Sequence, residues 1–537
     1  MKQKYILTLV ILVAALLRLV GLGAYPVGFT PDEASFGYDA WSLLQTGQDQ
    51  WGGNWPLVFK SFGDGKLPLQ VYLLIPSIAL FGLTEFAVRL PNAIFGVLAV
   101  WAIYLLVKRI FKNKQLALMS AFLLAISPWH IPLSRGAFEA NLTTFLMPIG
   151  IYWFFKIKDN PRYIYFSALA LGLNLFSYHS ARLVTPLIVG YLIIQSWTKR
   201  KPNKNIFLFS SVFGFFIIIA AATMFFGAGD RIATSTIFGI DPPTAARFNS
   251  LMSGLPSSIA RLLYNKYLVM SELFLSQYLQ YFSWEFLFLE GPRESTYGML
   301  PGVGVFYLVE AIFIFGLFLN LKKLKEHAWL LVWVFLAPIP AALSIGPGHA
   351  ANRAVIMLPA FVILMAVGWQ NIQTVFKKYA LRINLSFVLL LFMSLVLYLE
   401  TYFVQQRYVS APDMFFGTNK LFSYLEDVDQ NYDQIVVSKS LSEPHIFYAF
   451  YTKLDPTKFQ EASEAWDFKE RGLSWVDQLP EYNLGKYQFN NFVYQDILKA
   501  SNNLLLVGKP EDFPLDLKPE KIIRYPDNTD AFWVVEI

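Results

Sequence analysis

The sequence predicts an all-α polytopic membrane protein with about eleven transmembrane helices, a juxtamembrane helix and a C-terminal extracytoplasmic α/β domain. Three observations carry this expectation. The 537 residues are 55% hydrophobic and 17% aromatic but only 15% charged, a balance that suits lipid rather than a soluble globule. Apolar runs recur near 6–24, 86–107, 115–133, 142–156, 162–177, 183–197, 205–226, 301–320, 328–345, 353–370 and 382–400, most of them close to the roughly 20 residues a spanning helix needs. Between them the basic residues alternate sharply from side to side.

Taking the N-terminus as cytoplasmic, the inner segments around Lys2, Lys108, Lys156, Lys199, Lys322 and Lys377 hold nineteen basic residues. The short outer turns at 134–141, 177–182 and 346–353 hold one arginine each, Arg135, Arg182 and Arg353. Lys and Arg gather on the cytoplasmic side of membrane proteins, so the bias sets the orientation. It also accounts for the net charge of +6, and no nucleic-acid partner is expected. A plasma-membrane location with the C-terminal domain outside follows from the odd number of spans.

Taken in order, Lys2 and Lys4 followed by apolar residues to Gly23 resemble a signal peptide, but no small-residue cleavage site is clear before Tyr25; the segment is read as a retained first helix. Leu67 to Leu83 is excluded from the spans. It is short, it contains Pro68 and Pro76, and counting it would put the Lys108–Lys114 cluster outside; it reads as an interfacial helix with Lys66 at its start. The transmembrane domain is thus residues 1–400, with long outer loops at 25–85 and 227–300. Residues 401–537 gain charges and short β-like runs at 434–438, 503–507 and 532–537, separated by Pro, Asn and Asp turns. With no cysteine, disulfides and thiolate chemistry are excluded, and no internal repeat, P-loop or dinucleotide-binding glycine pattern occurs.

The chemistry is therefore expected in the outer segments. Phe29-Thr-Pro-Asp-Glu33 places Asp32 and Glu33 a few residues after the first span, at the start of a helix. Adjacent carboxylates there suit deprotonation of a hydroxyl or the holding of a divalent metal, though such a pair also commonly caps a helix. Arg135 and Glu139 stand four apart, a spacing that gives a local salt bridge or brings Glu139 to the same membrane surface as Asp32. His179 and Arg182, and His349 and Arg353, lie in later outer turns. Cations at helix ends often snorkel to lipid headgroups, but together with Lys66 and Arg135 these would make an anion site for a phosphate beside the carboxylates.

In this order the residues resemble the GT-C superfamily of membrane glycosyltransferases, in the branch of protein O-mannosyltransferases and aminoarabinose-to-lipid A transferases. The resemblance covers roughly residues 1–370. It rests on Pro31-Asp-Glu33, Lys66-Leu-Pro68, Arg89-Leu-Pro91, Arg135 with Glu139, and Arg353 with Pro359. It implies a GT-C fold, Asp32 as catalytic base, Glu139 as second acid and Lys66 as a contact to the carrier phosphate. It implies transfer of a monosaccharide from a polyprenyl-phosphate donor to a hydroxyl of a lipid, glycan or protein, with inversion, the base and the cationic phosphate site lying on opposite sides of the anomeric carbon. Family members often carry Asp at the position of Glu139, which leaves open a divalent metal (Mg, Mn or Zn) held by Asp32 and Glu139. The C-terminal domain lacks the Trp-Trp-Asp signature of oligosaccharyltransferases. Competing readings are a transporter or flippase of lipid-linked sugars, an O-antigen polymerase or ligase, and a non-catalytic receptor.

Overall fold

The computed structural model describes residues 2–63, 65–198, 204–226, 236–237, 242–256, 258–259, 262, 265–293, 295–320, 322, 325, 327–344, 350–497 and 503–537. His349, expected in the anion site, and Lys199, Arg200, Lys201 and Lys323, used in the charge count, lie outside the described residues. The first ten helices are α1 (Lys2–Leu19), α2 (Pro31–Thr46), α3 (Pro68–Phe81), α4 (Glu85–Phe111), α5 (Lys114–Ile126), α6 (His130–Arg135), α7 (Thr143–Lys156), α8 (Tyr163–Asn174), α9 (His179–Thr198) and α10 (Lys204–Ala222). Every apolar run named above is helical over much of its length, although the 301–320 run becomes helical only from Leu308 and the 115–133 run breaks at Ser127-Pro128.

Among the described residues four helical stretches are long and apolar enough to cross a bilayer: Glu85–Phe111, Lys204–Phe225, Ala351–Val375 and Lys377–Val409. The last of these is the most exposed, with Leu381, Leu385, Val388, Leu389, Phe392, Val396 and Leu397 bare on its surface, as a lipid-facing helix requires. The domain boundary expected at residue 400 falls inside this helix, because a π-turn at Thr401–Gln405 carries it on to Val409. Helix α3, with 14 residues, is about 21 Å long and falls short of a ~30 Å hydrocarbon core.

Local signals start these helices where the sequence puts them. Thr30 and Glu33 form a reciprocal capping box on α2, with Pro31 at its first position, and Gly47 ends it in the left-handed conformation at φ 75°. Thr84 caps α4, and Asn113 caps α5 by accepting from the Gln115 and Leu116 amides.

The outer loop carries a two-stranded antiparallel hairpin, β1 (Phe59–Lys60) and β2 (Gly65–Lys66). The C-terminal unit holds a six-stranded sheet formed by β3 (Gln434–Ser438), β4 (Glu481–Leu484), β5 (Tyr487–Asn490), β6 (Leu504–Gly508), β7 (Lys521–Arg524) and β8 (Asp530–Glu536), in the order β4-β5-β3-β6-β8-β7. Strand β3 runs parallel to both β5 and β6, while the flanking pairs are antiparallel. The buried centre of β3, Ile435 to Val437, and the wholly buried β6 carry consecutive apolar residues for this reason.

The outer loop and the C-terminal unit share one hydrophobic core. Phe29, Phe36, Tyr38, Phe59 and Phe62 from the loop pack with Phe447, Phe450, Phe459 and Trp466. A Cβ on Gly37 of α2 would come 2.8 Å from the Phe450 ring and 2.7 Å from Val88 of α4, so only glycine allows this approach. Tyr38 donates to the Leu454 carbonyl at 3.0 Å, and Tyr451 to Glu85 at 2.9 Å.

Candidate functional site

Asp32 occupies the first turn of α2, with its side chain 31% exposed, and its Oδ1 lies 3.0 Å from Lys66 Nζ. Lys66 ends the hairpin opposite Phe59 and directly precedes α3, so the hairpin turn and the α3 start fix its ammonium against the α2 terminus. Glu139 opens a single 3₁₀ turn, Glu139–Leu142, just beyond α6. These three side chains line one pocket, together with Phe36, Phe138, Tyr178, Tyr297 and Asn352 among others. The expectation that Glu139 comes to the same place as Asp32 is met in the geometry.

Three lining residues have no signal in the sequence. Tyr297 comes from the 227–300 loop; burial, and next Asp32 and Tyr178, push its hydroxyl above the usual tyrosine range, which keeps it protonated, while Lys66 and Arg353 pull the other way. Tyr178 and Asn352 come from segments whose sequence signal is their charged neighbours, Arg182 and Arg353. Asn352 is 5% exposed and its Oδ1 has no partner among the described residues.

Other expected site residues serve the fold. Glu33 is not a second catalytic carboxylate: it is fully buried with Arg89, whose Nε lies 2.9 Å from its Oε1, and it also accepts from the Ala137 and Thr30 amides. Arg135 is not an anion ligand. Helix α6 ends with it, and its guanidinium donates to the Leu17, Val20 and Tyr25 carbonyls, away from Glu139, so the four-residue spacing produces no salt bridge. Arg182 holds Thr223, Met224 and the Leu175 carbonyl, tying α9 to the end of α10. His179 sets its ring edge toward Tyr178, with centroids 6.5 Å apart, and does not line the pocket. Arg353 stands at the pocket margin, near enough to act on Tyr297.

Asp32 and Lys66 are in direct contact, whereas the sequence reading expects a base and a cationic phosphate site on opposite sides of the anomeric carbon. Among the described residues no group of three His, Cys, Asp or Glu side chains converges to hold a metal ion. Asp32 and Glu139 are the two carboxylates of the pocket, and Asp32 is engaged by an ammonium; this donor set does not fit a protein-held divalent cation, which takes more oxygen ligands.

An apolar groove begins one turn along α3 from Lys66. It is walled by Leu69 and Leu73 of α3, Phe95 of α4, Phe145 and Trp153 of α7, and Leu169 of α8.

The family model described as dolichyl-phosphate-mannose-protein mannosyltransferase matches residues 66–225. A stretch of 200 residues is 25% identical to an uncharacterised protein of Aquifex aeolicus, covering 36% of this chain and 39% of that one, so the match spans well under half of that relative. ArnT from Cupriavidus metallidurans has a similar structure, with TM-scores of 0.55 in the apo state and 0.54 bound to undecaprenyl phosphate, at 12% identity over 98% of this chain and 97% of ArnT. The oligosaccharyltransferase of Archaeoglobus fulgidus aligns at 14% identity with a TM-score of 0.46, over 84% of this chain and 63% of its own length. At these identities the likeness to the solved structures is one of fold, the fold shared with ArnT over nearly the whole chain.

Proposed function

We propose, on the premise of this GT-C fold, that the chain is a membrane glycosyltransferase that moves a monosaccharide from a polyprenyl-phosphate carrier to a hydroxyl acceptor outside the cytoplasm. The observation that carries the reading is the convergence of Asp32, Lys66 and Glu139 in one pocket beside an apolar groove. The groove offers hydrocarbon contact to an isoprenoid chain, and Lys66 at its head offers an ammonium to the phosphate. The ArnT structure bound to undecaprenyl phosphate supports a carrier of this kind.

The donor phosphate competes with Asp32 for the Lys66 ammonium. Its arrival draws Lys66 away and frees the Asp32 carboxylate for the acceptor hydroxyl. Asp32 then takes the hydroxyl proton as that oxygen attacks the anomeric carbon. The bond from that carbon to the phosphate oxygen breaks, and the electron pair leaves with the phosphate. Lys66 and Arg353 balance the charge that grows there. Glu139 and Tyr297 orient the sugar hydroxyls, and a single displacement inverts the anomeric centre. No metal enters this scheme.

The finer topology belongs to the same proposal: about eleven spans, a cytoplasmic N-terminus and an extracytoplasmic domain after Val409. A reporter fused at Ile537 that works only in the cytoplasm would remove it. The activity is tested with purified protein in lipid, supplied with polyprenyl-phosphate sugars and an acceptor extract. Release of free polyprenyl phosphate is expected, and its absence with every donor sugar refutes the reading.

A further inference from the structure

The C-terminal domain reaches the site through one corner. The chain leaves the carboxyl end of β3, makes a short turn at Lys439–Leu441 and enters the helix Pro444–Tyr451 through Ser442 and Glu443. Neither is glycine, yet their φ values are 50° and 46°. Two consecutive side-chain-bearing residues in the left-handed region are costly, and such backbone persists where the surrounding structure holds it; it concentrates at functional sites. The corner also lies at a topological switch point. From β3 the chain goes first to β5 on one side and then to β6 on the other, and open α/β sheets bind ligands beyond the carboxyl ends of such strands.

The corner is locked in place from both sides. The Glu443 amide donates to Asp477 Oδ2 at 2.7 Å, Asp477 accepts from the Tyr482 hydroxyl, and Tyr482 meets His445 Nδ1 at 2.9 Å. From the membrane side, Phe62 of the Lys66 hairpin packs its ring against His445, with centroids 5.8 Å apart. The Glu443 carboxyl is mostly buried and accepts from the Ser442 hydroxyl, and it lies within electrostatic reach of Asp477 of its own domain and of Asp32 and Lys66 of the pocket. Tyr482 also feels its charge, and Lys439 stands by Asp477.

We propose that Glu443 is a positioning residue of the site: its protonated carboxyl hydrogen-bonds the anionic phosphodiester held beside Lys66, and its ionised form repels that anion. The inference rests on the transfer reading above and adds a residue that the C-terminal domain contributes. Burial first, and then the Asp477 and Asp32 carboxylates, disfavour the charged form, and Glu443 is pushed up to about 7, where a carboxyl still serves as a donor near neutral pH. A domain whose strained corner brings a neutral acid near Asp32 and Lys66 makes ligand binding depend on that acid's proton.

The test is equilibrium binding of undecaprenyl-phosphoryl-glucose to the full-length protein in nanodiscs at about pH 5.5 and about pH 8.5. The probe is a phosphodiester whose charge stays constant over that range. Wild type is expected to bind about tenfold more weakly at the higher pH, the loss of one charge-assisted hydrogen bond. Glu443→Gln keeps the size and a donor but does not ionise, so its affinity is expected to be equal at the two pH values. Asp477→Asn removes the facing charge and is expected to move the wild-type midpoint to lower pH. A Glu443→Gln protein that retains the full pH dependence, or an Asp477→Asn midpoint that does not move, overturns the inference and leaves the transfer reading standing. A wild type that binds the probe with this pH profile, yet transfers no sugar to any acceptor, sinks the transfer reading and leaves the role of Glu443 in binding intact. Failure of wild type to bind at either pH overturns the role of Glu443 and leaves the transfer reading to the release assay with other donor sugars.

Discussion

Arg89 grips Glu33 across the start of α2, with Nε 2.9 Å from Oε1 and Nη2 3.2 Å from Oε2, and both side chains are cut off from water. Removing one member of a buried pair strands the other charge, at about 3–5 kcal/mol. Glu33→Gln and Arg89→Leu are each expected to lower the thermal melting point of the protein in lipid and to reduce its yield. The double replacement by leucine is expected to regain part of the loss, since Arg89 also holds the Pro26 carbonyl. A Glu33→Gln protein of full stability without activity would return Glu33 to the chemistry.

Asp32→Asn is expected to lower sugar transfer by about a hundredfold to ten-thousandfold, the worth of a general base. Folding should change little, because Thr30 and not Asp32 caps the helix. The assay follows release of free polyprenyl phosphate. Release at the wild-type rate would shift the base role to Glu139.

Lys66→Ala is expected to weaken use of the lipid donor by roughly tenfold to a hundredfold, about 1–3 kcal/mol for one charge-assisted contact. The effect should appear in donor KM and be absent from acceptor KM. An unchanged donor KM would mean that Lys66 only steadies Asp32.

Filling the groove separates long carriers from short ones. Leu169 is 48% exposed on α8, so Leu169→Trp adds bulk there at little cost to packing. Donor KM is expected to rise for an undecaprenyl carrier and to stay constant for a carrier of two isoprene units. Equal effects on both would place the isoprenoid elsewhere.

His445 makes the C-terminal domain sensitive to acid. Burial holds its imidazole down to about 3, against 6.5 when unfolded. The unfolded chain therefore takes up a proton that the folded one refuses, so stability is full above pH 6.5 and falls as the pH drops toward 3. Melting followed from about pH 7 to about pH 4 should show this loss. In His445→Gln it should be smaller; an equal loss would assign the acid sensitivity to other groups.

The sequence carries the membrane scaffold and only part of the site. Apolar runs and charge alternation mark the helices because lipid imposes one rule, satisfied backbone within an apolar surface, along the whole chain. Asp32, Lys66 and Glu139 are legible as charges near helix ends. Charge alone does not distinguish Glu33 or Arg135 from them, since that depends on whether Arg89 or a ring of carbonyls stands opposite. Tyr178, Tyr297 and Asn352 were beyond reach because an uncharged residue in an outer turn gives no signal until the fold brings it to the pocket. Strands β4, β5 and β7 are short and partly polar, unlike the apolar β3 and β6. Glu443 lies in the part of the chain with no resemblance to guide the eye.

The hairpin bearing Lys66 leans on the C-terminal domain. The Val476 amide donates to the Phe62 carbonyl at 2.9 Å, and a Cβ on Gly63 would come 1.8 Å from the Ser474 carbonyl oxygen. During synthesis the hairpin emerges more than four hundred residues before the segment that braces it. The carboxylate and the ammonium therefore wait, unbraced, while the membrane helices are inserted, and meet in register only when the last third of the chain has folded. Such a chain completes its Asp32–Lys66 pocket at the end of its own biogenesis, and a ribosome that stops early leaves that pocket without its brace.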